Sequence, residues 1–269
     1  MENLFSKFIN RIGFYTTTIF QVDTHLKEFV KFRKGNLPKN LSKDFVMPVL
    51  GSKLIYRNIL TAKHEFAFSR LIDIENIDEK IHEIKDSYCN FCISQSFEAF
   101  ETFLKDILAF YFVADKNFVK SNFKNNSIDN SNFITCRADI NKLLKKDNKY
   151  NKQLFKWLYK IDNDISKYEQ KNFLRFNFYE WNIVFTEIRH SIVHSNSILS
   201  KSKTKDWTKF QNDLLEGLFT GKKTESEIII STYNDYEYII RIIAQHGQLI
   251  YDKIKTAYNT GLAQYGPDN

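Results

Sequence analysis

Glycine and proline are the scarce residues of this chain, 8 and 3 among 269. Both punctuate regular structure, so their scarcity argues against a turn-rich β protein and for long helices. Cysteine is rare too: 3 residues, an odd count with no spacing suited to a disulfide framework. Cys89 and Cys92 form a CxxC, but they fall in the apolar stripe of a helix with no second pair, which reads as core packing rather than zinc or redox work. Such thiols imply a reducing, cytoplasmic setting. No stretch reaches the roughly 18 apolar residues of a membrane span. The N-terminus lacks the basic-then-apolar pattern of a signal peptide, and nothing repeats at a fixed period.

What the chain has in quantity is aromatic residues: 25 Phe and 14 Tyr, within a hydrophobic share of 43%. That suffices to bury a substantial core, as one large domain or as a core with an accessory segment. The formal net charge is +7, a sign that suits a polyanionic partner and supports RNA binding without establishing it.

Apolar residues from Leu4 to Val30 recur at three- and four-residue steps and predict a helix over 3–33, ended by Gly35-Asn36-Leu37-Pro38. The span to Gly51, with Pro38 and Pro48, reads as a loop. From Leu54 to Ile74 the pattern fits either state, and a helix is the expectation adopted. Asp78 caps a long helix to about Ala114, its stripe running from Ile81 through Phe91, Phe97 and Leu104 to Tyr111. Glu98, Glu101 and Lys105 form a charged face on it, solvated by default or turned toward a later helix. Residues 115–133, with six asparagines, read as a polar loop. Short helices follow over 137–146 and 152–161, then a brief helix or turn over 164–172 and a helix over 178–195. Thr220-Gly221-Lys222-Lys223 reads as a turn and Ile228-Ile229-Ile230 as a short strand. A last helix runs from Asn234 or Asp235 to about Tyr258, with His246 on its inner side. The fold class is therefore all-α, a helical bundle with at most one small β-hairpin. Its expected divisions are an N-terminal helical extension over 1–77, a helical domain over 78–260 and a tail over 261–269.

One stretch carries chemistry: Glu187-Ile188-Arg189-His190-Ser191-Ile192-Val193-His194. Arg189 is a permanent cation with a planar fork of donors that matches phosphate oxygens. His190 and His194 can trade protons near neutral pH. This set supplies a base, an acid and an anion clamp without the carboxylates of divalent-metal phosphoryl transfer. It suffices to cleave RNA, which brings its own nucleophile, the 2′-hydroxyl. At about 100° per residue, His190 and His194 lie about 40° apart on one helix face, and Arg189 and His194 about 140° apart. Convergence on one phosphate then needs a helix that ends or distorts at Ser195-Asn196-Ser197, or a second copy about a dyad. Two other readings stand beside this one. Arg189 alone is an ordinary surface arginine pairing with Glu187 or a neighbouring helix. The histidine pair resembles half of the zinc pattern HExxH, but Ser191 stands where the glutamate is needed.

The stretch EIRHSIVHS also resembles the RxxxxH motif of the HEPN superfamily, with His190 at the polar position after the arginine. The resemblance covers roughly Ile81 to Lys255 and leaves the first eighty or so residues outside. It implies a HEPN-like helical bundle and a metal-independent endoribonuclease with Arg189, His190 and His194 as catalytic residues and no metal or cofactor. Its implied partners are RNA, a second copy forming a composite active site, and an antitoxin or another protein of a phage-defence or abortive-infection system. Lys201, Lys203 and Lys205 follow the motif as a basic run able to guide RNA. The rivals are a non-catalytic HEPN module for dimerisation or nucleotide binding, and a helical DNA-binding regulator, for which no helix-turn-helix pattern is present.

Overall fold

The structure, a computed structural model, describes residues 1–36, 48–57, 64–73, 76–123, 128–146 and 150–264. Parts of the expectations for the span from Gly35 to Gly51, for Leu54–Ile74 and for residues 115–133, and residues 265–269 of the tail, lie outside them. Most described residues are helical, as the shortage of glycine and proline requires. In order come α1 (Glu2–Gly35), β1 (Pro48–Arg57), β2 (His64–Asp73), α2 (Ile77–Ala114), α3 (Lys116–Asn122), α4 (Phe133–Lys146), α5 (Tyr150–Ile161) and α6 (Asp164–Gln170). Then follow α7 (Phe178–His194), β3 (Ile198–Ser200), α8 (Lys209–Leu218), β4 (Thr220–Lys223), β5 (Glu227–Ile230) and α9 (Tyr236–Gln264). Among the described residues, no helix is long and apolar enough to cross a membrane.

Two compact units divide the chain, Thr17–Cys89 and the remainder, Met1–Thr16 with Asn90–Asn269. The division falls inside α1 and α2, where the sequence reading placed it at 77.

In the Thr17–Cys89 unit the helix expected over Leu54–Ile74 is replaced by an antiparallel hairpin, β1 with β2, in a register that sets Leu54 opposite Phe68 and Ile55 opposite Phe66. Apolar residues here recur at two-residue steps as readily as at three or four, and β-branched and aromatic types favour the pleated state. Where α1 and α2 run within this unit, Ile77 and Ile81 pack with Leu26, Phe29 and Val30. The Lys85 ammonium meets the Asp23 carboxylate at 2.6 Å beside them.

The larger unit is built on α2. Phe97, Phe100, Leu104, Ile107, Leu108 and Phe112 are all buried along it. A helix apolar on so much of its circumference must be surrounded. Phe103 stacks on Phe8 of α1 with ring centroids 4.8 Å apart, and Phe97 meets Phe185 of α7 edge-on at 4.8 Å. Phe91, assigned to the stripe by spacing, is instead 54% exposed. The inward position beside it belongs to Asn90, which the fold holds by hydrogen bonds. α9 approaches α1 closely enough that a Cβ on Gly247 would lie 2.3 Å from Cε1 of Phe8, so only glycine fits there.

Residues 115–123 and 128–133 carry more regular structure than the polar-loop expectation. The Asp115 carboxylate accepts from the Phe118 N–H at 2.8 Å and caps α3. Phe118 stacks on Phe112, and Phe123 meets Trp157 of α5 edge-on. Asn132 caps α4 by accepting from the Thr135 N–H at 3.0 Å. Asn132 is thus a capping group, Asn122 and Asn130 donate to the Phe118 and Phe112 carbonyls, and the aromatics anchor the segment. Thr220–Lys223, read as a turn, is strand β4, and the sheet order is β3-β5-β4, all antiparallel. Ile228 and Ile230 of β5 point inward and Ile229 outward, the period-2 pattern expected of that run.

Candidate functional site

Helix α7 begins where the Asn177 side chain accepts from the Glu180 N–H at 3.1 Å. Phe178, Trp181, Val184, Phe185, Ile188 and Ser191 form its buried stripe. Trp181 stacks on Phe185 and on Phe219, which fixes the roll of the helix about its axis. Burying each such side chain contributes about 1.5–3 kcal/mol.

The helix stops at His194 as the Ser195-Asn196-Ser197 chemistry suggested. The Ser195 and Ser197 N–H groups both donate to the Ser191 carbonyl at 3.0 Å. Asn196 and Ser197 then take left-handed backbone, φ 50° and 63°, a conformation that costs non-glycine residues about 1–2 kcal/mol each. Asn90 braces this turn. Its side-chain amide donates to Ser197 Oγ at 3.1 Å and to the Ile230 carbonyl at 3.0 Å, and its oxygen accepts from Thr232 Oγ1 at 2.8 Å. No sequence signal marks Asn90 for this role, since its partners lie more than a hundred residues away.

The roll of α7 leaves His190 and His194 exposed, with ring centroids 4.8 Å apart. Among the described residues neither ring bonds to anything else. Arg189 lies about 100° around the helix from His190, and its guanidinium faces α2. It pairs there with the Glu98 carboxylate, and its Nη1 lies 3.7 Å from Glu101 Oε2. Its Nε is buried without a hydrogen-bond partner. Within one chain the structure therefore brings the two histidines together and turns the arginine toward two carboxylates. The charged face of α2 meets the motif helix, one of the two options its spacing left open.

The basic run after α7 is placed by β3 and a 3-10 turn, Lys201–Thr204. Lys203 Nζ donates to Glu187 Oε2 at 3.2 Å. Among the described residues no such bond ties Lys201 or Lys205 to α7.

His246 sits elsewhere, in the core. Its Nε2 is 2.6 Å from Glu169 Oε1, and Glu169 also accepts from the Tyr159 hydroxyl at 2.5 Å. Burial and the neighbouring Glu169 carboxylate push the Tyr159 phenol well above its ordinary range, so it keeps its proton and donates. Among the described residues, no three His, Cys, Asp or Glu side chains gather where a metal ion could sit. No family model, curated protein or solved structure matches this chain.

Proposed function

We propose that the chain is a metal-independent endoribonuclease acting as a homodimer. The observation that carries this reading is the His190–His194 pair: two adjacent, exposed imidazoles with no bonding duty in the fold. Buried or paired histidines have a structural use; these two are available for proton transfer. His194 removes the proton of a 2′-hydroxyl, and the oxygen attacks the adjacent phosphorus. The bond to the 5′-oxygen breaks, and a protonated imidazole, from His190 or from His194 of a second copy, supplies the proton to that oxygen. The products carry 2′,3′-cyclic phosphate and 5′-hydroxyl ends.

Arg189 stabilises the phosphoryl oxygens as charge develops. For this its fork exchanges a carboxylate of Glu98 or Glu101 for phosphate oxygens. A second copy about a dyad brings another Arg189 to face this histidine pair, which one chain does not do. The HEPN resemblance of the motif places such an activity in a toxin or abortive-infection effector, with an antitoxin or other defence protein as partner. A second reading, a non-catalytic HEPN module for dimerisation or nucleotide binding, draws on the engagement of Arg189 by two carboxylates.

The test is cleavage of RNA by the full chain in excess EDTA, with end-group analysis of the products. Cyclic phosphate and 5′-hydroxyl ends are expected. A 3′-hydroxyl with a 5′-phosphate would exclude attack by the 2′-hydroxyl, and no cleavage would favour the second reading. Mixing inactive Arg189→Ala and His194→Ala chains should restore activity if groups from two copies combine. Full activity in a strictly monomeric protein would sink the shared site.

A further inference from the structure

Beside α7 the larger unit opens into a cleft of about 1110 Å³. One wall is α5, whose Lys152, Lys156 and Lys160 recur every four residues and so form one stripe. All three are exposed, and among the described residues none is paired with a carboxylate. Glu187, paired with Lys203, also lines the cleft, so the α5 lysines are the cations there whose charge no described carboxylate takes up, and they attract an anion from outside. The opposite wall is α7, which contributes Tyr179 and Asn182, and Trp207 closes the rim. Tyr159 and Glu169 form the floor, with their hydrogen bond already satisfied. Asn182 also lines the wall, and its side-chain oxygen is buried without a partner, so turning the amide into the cleft would cost it no described hydrogen bond of that oxygen.

These features ask for one ligand chemistry. Lysines supply point charges for phosphate, aromatic rings supply flat faces for stacking, and amides read donor and acceptor edges. We propose that the cleft binds a nucleotide with an unpaired base, its base stacked on Trp207 or Tyr179, its phosphates on the α5 lysines and an exocyclic amine on Asn182. An apolar peptide would leave the lysines and the unpartnered amide oxygen unused. Ile183, Glu187, His190 and His194 follow at steps of four, three and four, so one ridge of α7 leads from the cleft to the histidine pair. His190 lies about 10 Å along the axis from Ile183. Single-stranded RNA seated in the cleft is thereby led toward the site of cleavage. That role rests on the ribonuclease reading, whereas nucleotide binding does not.

Trp157 and Trp181 are buried and Trp207 is half-exposed, so ligand-induced quenching of tryptophan emission reports on the cleft. The full chain carrying His194→Ala, to spare the probe, is titrated with an unstructured hexaribonucleotide, with AMP and with inorganic polyphosphate. Saturable quenching by the hexaribonucleotide is expected. Lys152→Glu with Lys156→Glu, both at exposed helix positions, should weaken binding about tenfold or more. Trp207→Ala, followed by the anisotropy of a fluorescently labelled hexaribonucleotide because it lacks the reporter, should weaken binding about tenfold, and Trp207→Phe should restore affinity in the same assay. AMP binding as tightly as the hexaribonucleotide identifies a free nucleotide as the occupant, and much weaker AMP binding identifies RNA; both support the site. Parental affinity in the lysine and Trp207→Ala variants overturns the proposal, as does equal affinity and quenching by polyphosphate. RNA cleaved normally by wild-type chains carrying those cleft substitutions sinks the guiding role alone. Binding without cleavage sinks the ribonuclease reading alone.

Discussion

His246 and the pair His190–His194 belong to packed helices of one unit, and their surroundings differ in almost every respect. His246 is 1% exposed and bonded to Glu169, itself 0% exposed. Phe100, Phe155 and Phe178 lie against its ring, the nearest centroids 5.0 Å away. The motif histidines face solvent and touch chiefly each other. The same side chain is bonded into the core in one place and left exposed to solvent in the other. The lesson is that neighbours decide the role: a histidine enclosed by aromatic rings and bonded to a buried carboxylate is out of a substrate's reach.

Substitutions can break this contrast from the buried side. Glu169→Ala should have the largest effect, about 3–5 kcal/mol of lost stability in urea denaturation, because it strands a buried polar partner. Replacing both Glu169 and His246 by leucine should recover part of that loss, since the buried imidazole is no longer stranded and only the Tyr159 hydroxyl loses its acceptor. A loss below about 1 kcal/mol for Glu169→Ala would show that the pair is not a structural bond. Gly247→Ala, one residue from His246, should cost about 1–3 kcal/mol, because its methyl must displace the buried Phe8 ring. A melting temperature equal to the parent's would mean that α1 and α9 can separate without penalty.

From the exposed side the expected effects on stability are small. Glu98→Gln loses one half-exposed ion pair with Arg189, worth up to about 1 kcal/mol and less in high salt. If Glu98 competes with phosphate for Arg189, this variant should bind RNA more tightly; weaker binding would assign Glu98 to holding the arginine in place. His190→Ala and His194→Ala should each leave stability within about 0.5 kcal/mol of the parent. Each should nevertheless lower RNA cleavage by about a hundredfold or more. Unfolding of either variant would put the pair in the same class as His246.

The contrast also marks how far the sequence could be read. Helix α7 was legible at both ends, because its apolar stripe is regular and Ser195-Asn196-Ser197 can accept the backbone that stops it. The exposed pair was legible because two residues four apart on one helix need no tertiary information. The Glu169–His246 bond was not, since nothing local links residues 77 positions apart. Glu98 was visible as part of a charged face, but its partner became visible only once α2 and α7 were packed. The lysine stripe of α5 follows a four-residue step that was open to view, and only the cleft gives it meaning. The hairpin at Pro48–Asp73 was misread because a short apolar run satisfies both periods, and pairing between strands decides. The asparagines of 115–133 were taken for loop composition, although capping is what that residue type does best.

Asn90 has a consequence for the order in which the chain assembles. Its side-chain bonds close loops of 107, 140 and 142 residues, and such loops carry their entropic cost before their contacts return anything. Until those bonds form, the left-handed turn at Asn196-Ser197 has only the short-range backbone bonds to the Ser191 and Ser195 carbonyls to hold it. α7 can therefore nucleate early on its own stripe, while its last turn and the following strand lock only when α2 and β5 are in place. In a kinetic experiment, Asn90→Ala should accelerate unfolding and leave the folding rate nearly unchanged, the pattern of a contact absent from the transition state. The end of α7 that carries the two histidines would then be among the last parts of the larger unit to settle and the first to open.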